Sequence, residues 1–186
     1  LCDVHSALFH GSTTEEKTAN AEKTTVHSPA AQELHAKDIQ DQRLSAAAAL
    51  IQISGHPIQT FTLENAALEK LIARAKQALE NGTMNDGLLN ELRQTAIHYA
   101  KKGDLLYPHL KVQYGISGPS AVMWTVDDEI RDELNALAKQ KHQKETDAWK
   151  QRLNAVLTRM EEMIYKESNI LFPNCALNFS EEEWYH

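Results

Sequence analysis

The sequence has few cysteines, no long apolar run and no basic stripe, and each shortage excludes a class of protein. Among its 186 residues only Cys2 and Cys175 are cysteines, too few for a disulfide framework. No apolar run approaches the roughly 20 residues that cross a bilayer. Lysine and arginine are scattered through a chain of net charge −7, which argues against nucleic acid as a partner. We therefore expect a cytoplasmic protein that binds neither membrane nor nucleic acid.

Glycine is also scarce, and the fold class follows from what replaces it. Seven glycines stand among many Ala, Leu, Glu, Lys and Gln residues, which lose little conformational freedom in a helix, so an all-α fold is predicted. Residues 1–10 resemble the end of a truncated N-terminal helical domain. Residues 11–30 carry almost no large apolar side chain and predict a mobile linker. Linker and accessory helix together occupy 11–54, ahead of a domain over 55–186.

Apolar residues at helical spacing predict the architecture of that domain. The short joints between its helices favour an antiparallel up-down-up-down four-helix bundle. The phrases GDLLYPH (103–109) and SNILFPN (168–174) close the second and fourth helices, so Pro108 and Pro173 are predicted to end them at one common rim. The four predicted helices cover about 57–81, 86–107, 120–143 and 145–172.

Near that rim, each apolar stripe continues into an ionisable residue on the inner face of its helix. An unpaired buried charge is costly, so these groups need partners. One explanation is mutual pairing, for example of Lys102 with Glu167 or Asp127. The other is a metal, because facing helices of a bundle hold iron or manganese with carboxylate and imidazole. The inward residues are Glu64, His98, Lys102, Asp127 and Glu167, with His56 at the mouth of the first helix.

Five ordered motifs resemble the hemerythrin-like HHE cation-binding domain. They are GHPIQTFTLEN, HYAKKGDLLYPHL, GISGPSAVMWTVDDEIR, KESNILFPNCAL and SEEEW, and the resemblance covers about 55–185. Residues 1–10, with LCDVH followed by Phe9, are similar to a bacterial branch in which a short helical domain precedes the bundle and a PAS domain often follows it. The resemblance implies a non-haem di-iron centre that binds dioxygen or nitric oxide.

Carried over by position, the resemblance implies a set of metal ligands and three departures from the family pattern. Gly103 stands where the family usually has glutamate, Asp127 where it has histidine, and Gln59 where it has a second histidine. Asp can replace His as an iron ligand, whereas glycine cannot replace glutamate, so a di-iron or a mono-iron site is expected. The implied ligands are His56, Glu64, His98, Asp127 and Glu167.

Three functions remain open at this point, and none of them is enzymatic, because no nucleophile lies beside a base and no phosphate-binding loop is present. The first is an iron module for oxygen, nitric oxide or redox sensing. The second is a metal-free helical module that binds a protein or a signalling domain, with the Lys102 cation in the place of the metal. The third is haem binding through His5.

Overall fold

The computed structural model describes residues 29–115 and 118–184, which belong to two compact units that divide after Arg43. The predicted domain end at 1–10, with Cys2 and His5, and the predicted linker up to residue 28 lie outside the described residues. The described part of the first unit is helical and belongs to α1 (Pro29–Ile51). Within the described residues, no helix combines the length and the apolar character that a membrane span requires.

The second unit contains the bundle, and its first helix, α2 (Pro57–Glu80), has strong start and stop signals. His56 caps it, because its Nδ1 atom accepts a hydrogen bond from the backbone N–H of Ile58 at 3.1 Å. Pro57 occupies the first turn, where its missing N–H costs nothing. Gly82 follows the C-terminus with φ +66°, a conformation that glycine adopts without strain. The buried face of α2 is formed by Ile58, Phe61, Asn65, Ile72, Ala75 and Ala78.

The second segment of the bundle is divided into three helices where one continuous helix was predicted. α3 (Asp86–Arg93), α4 (Thr95–Leu105) and α5 (Tyr107–Tyr114) follow one another with single-residue breaks at Gln94 and Leu106. Both break residues keep right-handed helical backbone angles, so no loop separates the three helices.

The third and fourth segments complete the bundle. They are α6 (Gly118–Lys139) and α7 (Asp147–Lys166), which continues through a π-helical turn at Glu167–Leu171 into α8 (Phe172–Asn178). A 3₁₀ turn at Glu182–Trp184 ends the described chain. The described residues contain no β-strand, and the predicted all-α bundle is confirmed.

The two prolines do not end their helices, which corrects the prediction made from the repeated phrases. Pro108 lies in the first turn of α5 and Pro173 in the first turn of α8. Proline is tolerated there because the N–H groups of a first turn have no partner inside the helix. Each phrase therefore marks the start of a new helical turn. The prolines still share one end of the bundle, since α5 packs against α8.

Pairs of contacting residues show that neighbouring segments run antiparallel. Arg74 of α2 bonds to Glu91 of α3 at 2.9 Å. Nearer the start of α2, Glu64 bonds to His98 of α4 at 2.7 Å. Residue numbers fall along α2 as they rise along α3 and α4, so these segments are antiparallel. Glu64 and His98 therefore meet near the rim. The same reversal appears in the pairs Arg93–Asn135, Lys102–Asp127, Glu133–Arg152 and Leu137–Trp149.

Candidate functional site

A continuous series of polar and charged side chains crosses the bundle near the rim at which α2 begins. Neighbours in the series are joined by hydrogen bonds or ion pairs, and together they connect all four segments. We call this series the ion chain. In order, its members are Lys101, Glu64, His98, Glu167, Lys102, Asp127 and Tyr107.

His98 lies at the centre of the first half, between two glutamates. Its Nδ1 atom is 2.7 Å from Glu64 Oε2 and its Nε2 atom is 3.0 Å from Glu167 Oε2. A neutral imidazole has one N–H donor, so both carboxylates accept a hydrogen bond only if the ring is doubly protonated. Lys101, which is partly exposed, forms a second ion pair with Glu64.

Lys102 lies at the centre of the second half, and its side chain is fully buried. Its Nζ atom is 3.0 Å from Asp127 Oδ1 and also contacts Glu167 Oε1. It lies 4.4 Å from the centre of the Tyr99 ring, within the range of a cation–π interaction. The Tyr107 hydroxyl donates to Asp127 Oδ2 at 2.8 Å. The buried ammonium group thus has two carboxylate partners and an aromatic face.

The two buried carboxylates have pKa values that shift in opposite directions. Burial alone raises the pKa of Glu167, but the charge of Lys102 and the hydrogen bond from His98 outweigh it, so the pKa lies below the ordinary value. Burial raises the pKa of Asp127 to about 6, because Lys102 and the neutral Tyr107 hydroxyl compensate only in part. Glu167 is therefore the more strongly stabilised anion of the two.

Local structure explains how these side chains come to face one another. His98 and Lys102 are four residues apart on α4 and share one face of it. Glu167 is the first residue of the π-helical turn, and it is fully buried. In that turn the N–H of Phe172 bonds to the carbonyl of Glu167, one residue further back than in an α-helix. Because of the extra residue, the side chains of α8 that face the core differ from those that an unbroken α-helix would place there.

Gly103, which follows Lys102, lines a small cavity beside the ion chain. The cavity has a volume of about 170 Å³, and Tyr99, Trp124 and Asp127 also line it. A Cβ atom at residue 103 would lie 3.9 Å from the Trp124 ring, an ordinary van der Waals distance. The site therefore has room for a side chain that glycine does not supply.

His56 lies at the same rim, but no hydrogen bond or ion pair among the described residues joins it to the ion chain. Its Nδ1 atom caps α2, and its ring is 4.7 Å from that of Trp184. Burial lowers its pKa, so the ring is neutral, and because Nδ1 accepts a hydrogen bond its proton is assigned to Nε2. Gln59 closes the preceding turn: it accepts from the Gly55 N–H at 2.9 Å and donates to the Ile51 carbonyl at 3.1 Å.

The side chains in this arrangement do not fit a metal centre. A metal ligand needs a free lone pair, and both ring nitrogens of His98 face carboxylates. Glu64 and Glu167 lie at opposite edges of that ring, so one ion cannot reach both of them and a ring nitrogen. Across 29–115 and 118–184, no three His, Cys, Asp or Glu side chains are grouped to hold an ion. The assignment of the five carried-over residues as metal ligands stays a prediction.

The sequence named Lys102 only as one alternative, and it missed Tyr107 and Lys101 as members of the ion chain. A signal for Tyr107 was present. The two repeated phrases align residue by residue, and Tyr107 stands where the second phrase has Phe172. A hydroxyl added at one of two equivalent buried aromatic positions indicates a nearby acceptor. Here that acceptor is Asp127.

Comparison with protein families matches residues 56–175 to the family described as Hemerythrin HHE cation binding domain. The chain belongs to this hemerythrin family. The match includes every member of the ion chain and starts at His56. Domains of this family bind metal cations, usually iron. The search of curated proteins finds no match. The bacterial branch, with its N-terminal helical domain and PAS domain, stays a prediction for this chain.

Proposed function

We propose that this hemerythrin domain is a non-enzymatic interaction or signalling module in which Lys102 supplies the cation that the family usually takes from a metal. The observation that carries the proposal is the position of its ammonium group, fully buried between Glu167 and Asp127. The partner under this proposal is another protein or a signalling domain.

The charge balance of the ion chain supports the proposal. Its three carboxylates contact two ammonium groups, and the imidazole of His98 lies between two of the carboxylates. Buried charges are tolerated when they are paired and hydrogen-bonded, and here each charge has a partner of opposite sign. A divalent ion added beside Lys102 would bring two further positive charges into a balanced cluster at low dielectric.

The second candidate is an iron module for oxygen, nitric oxide or redox sensing. It is favoured by the family and by the contacts of His98 with Glu64 and Glu167, at 2.7 and 3.0 Å. Iron binding here requires the His98 ring to rotate, and it requires Lys101 and Lys102 to break their ion pairs with the carboxylates. Haem binding through His5 remains a third prediction, because that residue lies outside the described part of the chain.

The visible spectrum, the metal content and the thermal stability of the freshly purified chain test these functions together. We expect no oxo-iron band, no Soret band and less than one metal ion in ten chains. We also expect the same melting temperature with and without ferrous iron under anaerobic conditions, since a ligand stabilises only the state that binds it. One iron per chain with a raised melting temperature would replace our proposal by the iron module, and a Soret band would replace it by haem binding.

A further inference from the structure

We infer that Lys102 blocks a latent divalent-cation site formed by Asp127 and Glu167, and that removing its ammonium group opens this site to a metal ion. This inference rests on the proposed function, in which the wild-type chain holds no metal. It assigns Lys102 a specific task, the exclusion of cations from the core, beyond that of joining three helices.

The geometry around Nζ carries the first step. One oxygen of Asp127 and one of Glu167 approach the same atom from different segments of the bundle. Two carboxylate oxygens that converge on one point provide what a hard divalent cation such as Mn²⁺ prefers. The Nζ–Oδ1 distance to Asp127 is 3.0 Å. Metal–oxygen distances are about 2.0–2.2 Å, so closure by less than about 1 Å is needed.

Access and space carry the second step. The cavity of about 170 Å³ beside Gly103 includes Asp127 in its lining, so a cation can approach that carboxylate from outside the bundle. Lys102 and Glu167 do not line this cavity, so water ligands of Mn²⁺ reach the ion from the side of Asp127. On the far side of Glu167, its second oxygen stays with His98 at 3.0 Å, which orients the carboxylate.

The substitution Lys102→Met isolates the ammonium group. Methionine is one atom shorter than lysine, so it keeps most of the apolar stem and leaves the position of Nζ open. Asp127 and Glu167 then face each other without a cation between them. Their repulsion lowers the stability of the fold until a metal ion takes the place of the ammonium group. Metal binding and folding should therefore be coupled in this variant.

Three comparisons test the inference with Mn²⁺ as the only added ligand. Lys101→Met is the matched control, because Lys101 is the adjacent lysine but pairs with Glu64 at the partly exposed end of the ion chain. Lys102→Met/Asp127→Asn removes one of the two anionic oxygen ligands while keeping the shape of the side chain. Each purified protein is dialysed against Mn²⁺, bound metal is counted, and melting is followed by circular dichroism.

We expect Lys102→Met alone to bind one Mn²⁺ per chain, with a melting temperature higher by about 5–10 °C at a metal concentration 100 times the Kd. If the metal-free variant is unfolded, Mn²⁺ should restore its helical signal. No binding and no recovery by Lys102→Met would overturn the inference, as would equal binding by Lys101→Met or by the double variant. Binding of Mn²⁺ by the wild type would instead overturn the proposed function, so the two failures are distinguishable.

Discussion

The substitution Glu167→Gln should destabilise this protein more than any exposed acid-to-amide change on the same helical segment. Glu167 is fully buried, and it is the residue that joins the two halves of the ion chain. One of its oxygens faces His98 and the other faces Lys102. Glutamine keeps the shape of the side chain but removes the negative charge, so Lys102 and His98 both lose an anionic partner at once.

The size of the effect follows from the remaining contacts. Removing one partner of a buried ion pair typically costs about 3–5 kcal/mol, because an uncompensated charge is left behind. Asp127 still accepts from Lys102, and Glu64 still accepts from His98, so we expect the lower end, about 3 kcal/mol. For a domain of this size, that corresponds to a fall in melting temperature of about 6–12 °C.

Urea unfolding followed by circular dichroism measures this change, and Glu161→Gln is the matched control. Glu161 bonds to Lys76 at 2.6 Å, but the side chains are 45% and 31% exposed. Exposed ion pairs contribute about 0–1 kcal/mol, so the control should lie within that range of the wild type. The denaturant dependence of the free energy should stay constant in both variants, since a change there would indicate a different unfolded state.

A double-mutant cycle assigns the loss to the proposed pair. Adding Lys102→Met to Glu167→Gln removes the stranded cation, so the double variant should be more stable than the sum of the two single effects by about 1–3 kcal/mol. A Glu167→Gln protein within about 1 kcal/mol of the wild type, and indistinguishable from Glu161→Gln, would refute the electrostatic account of the ion chain.

Four further predictions concern the helix ends and the pH dependence of stability. His56→Ala should cost about 1 kcal/mol in urea unfolding, because it removes the N-cap of α2, and a loss below about 0.3 kcal/mol would contradict this role. Gly115→Ala should also cost about 1 kcal/mol, since Gly115 ends α5 with φ +64°, and an unchanged stability would argue against that backbone. Melts across pH 3–7 should show a loss of stability as the pH falls below the ordinary value of 4.5, because the fold lowers the pKa values of Glu64 and Glu167 and the unfolded chain takes up protons first. Asp127 affects stability in the opposite direction: the fold raises its pKa from 3.8 to about 6, so the wild type should lose stability as the pH rises from about 4 to 6. Asp127→Asn should abolish that loss, and identical pH profiles of the two proteins would contradict this.

The sequence by itself determined the fold class and the inward face of each helix. Apolar residues repeat every three or four positions, and in an α-helix that spacing places them on one side. The same rule put Glu64, His98 and Glu167 on the inner faces, and all three take part in the ion chain. The same stripe on α4 also carries Lys102, four residues after His98.

Only the tertiary structure decided which of these groups meet. Pairing depends on the axial shift and rotation of each helix, and these are changed by the breaks at Gln94 and Leu106 and by the π-helical turn that begins at Glu167. No short-range pattern signals such features, because they arise where packing between segments outweighs the local preference for a regular helix. His56 shows the same limit: the sequence placed it at the mouth of the first helix, but only the fold shows that its Nδ1 lone pair caps α2. Lys102 lies in the second half of the ion chain, because a buried ammonium group is stable only where carboxylates from other helices reach it, and Asp127 and Glu167 do so.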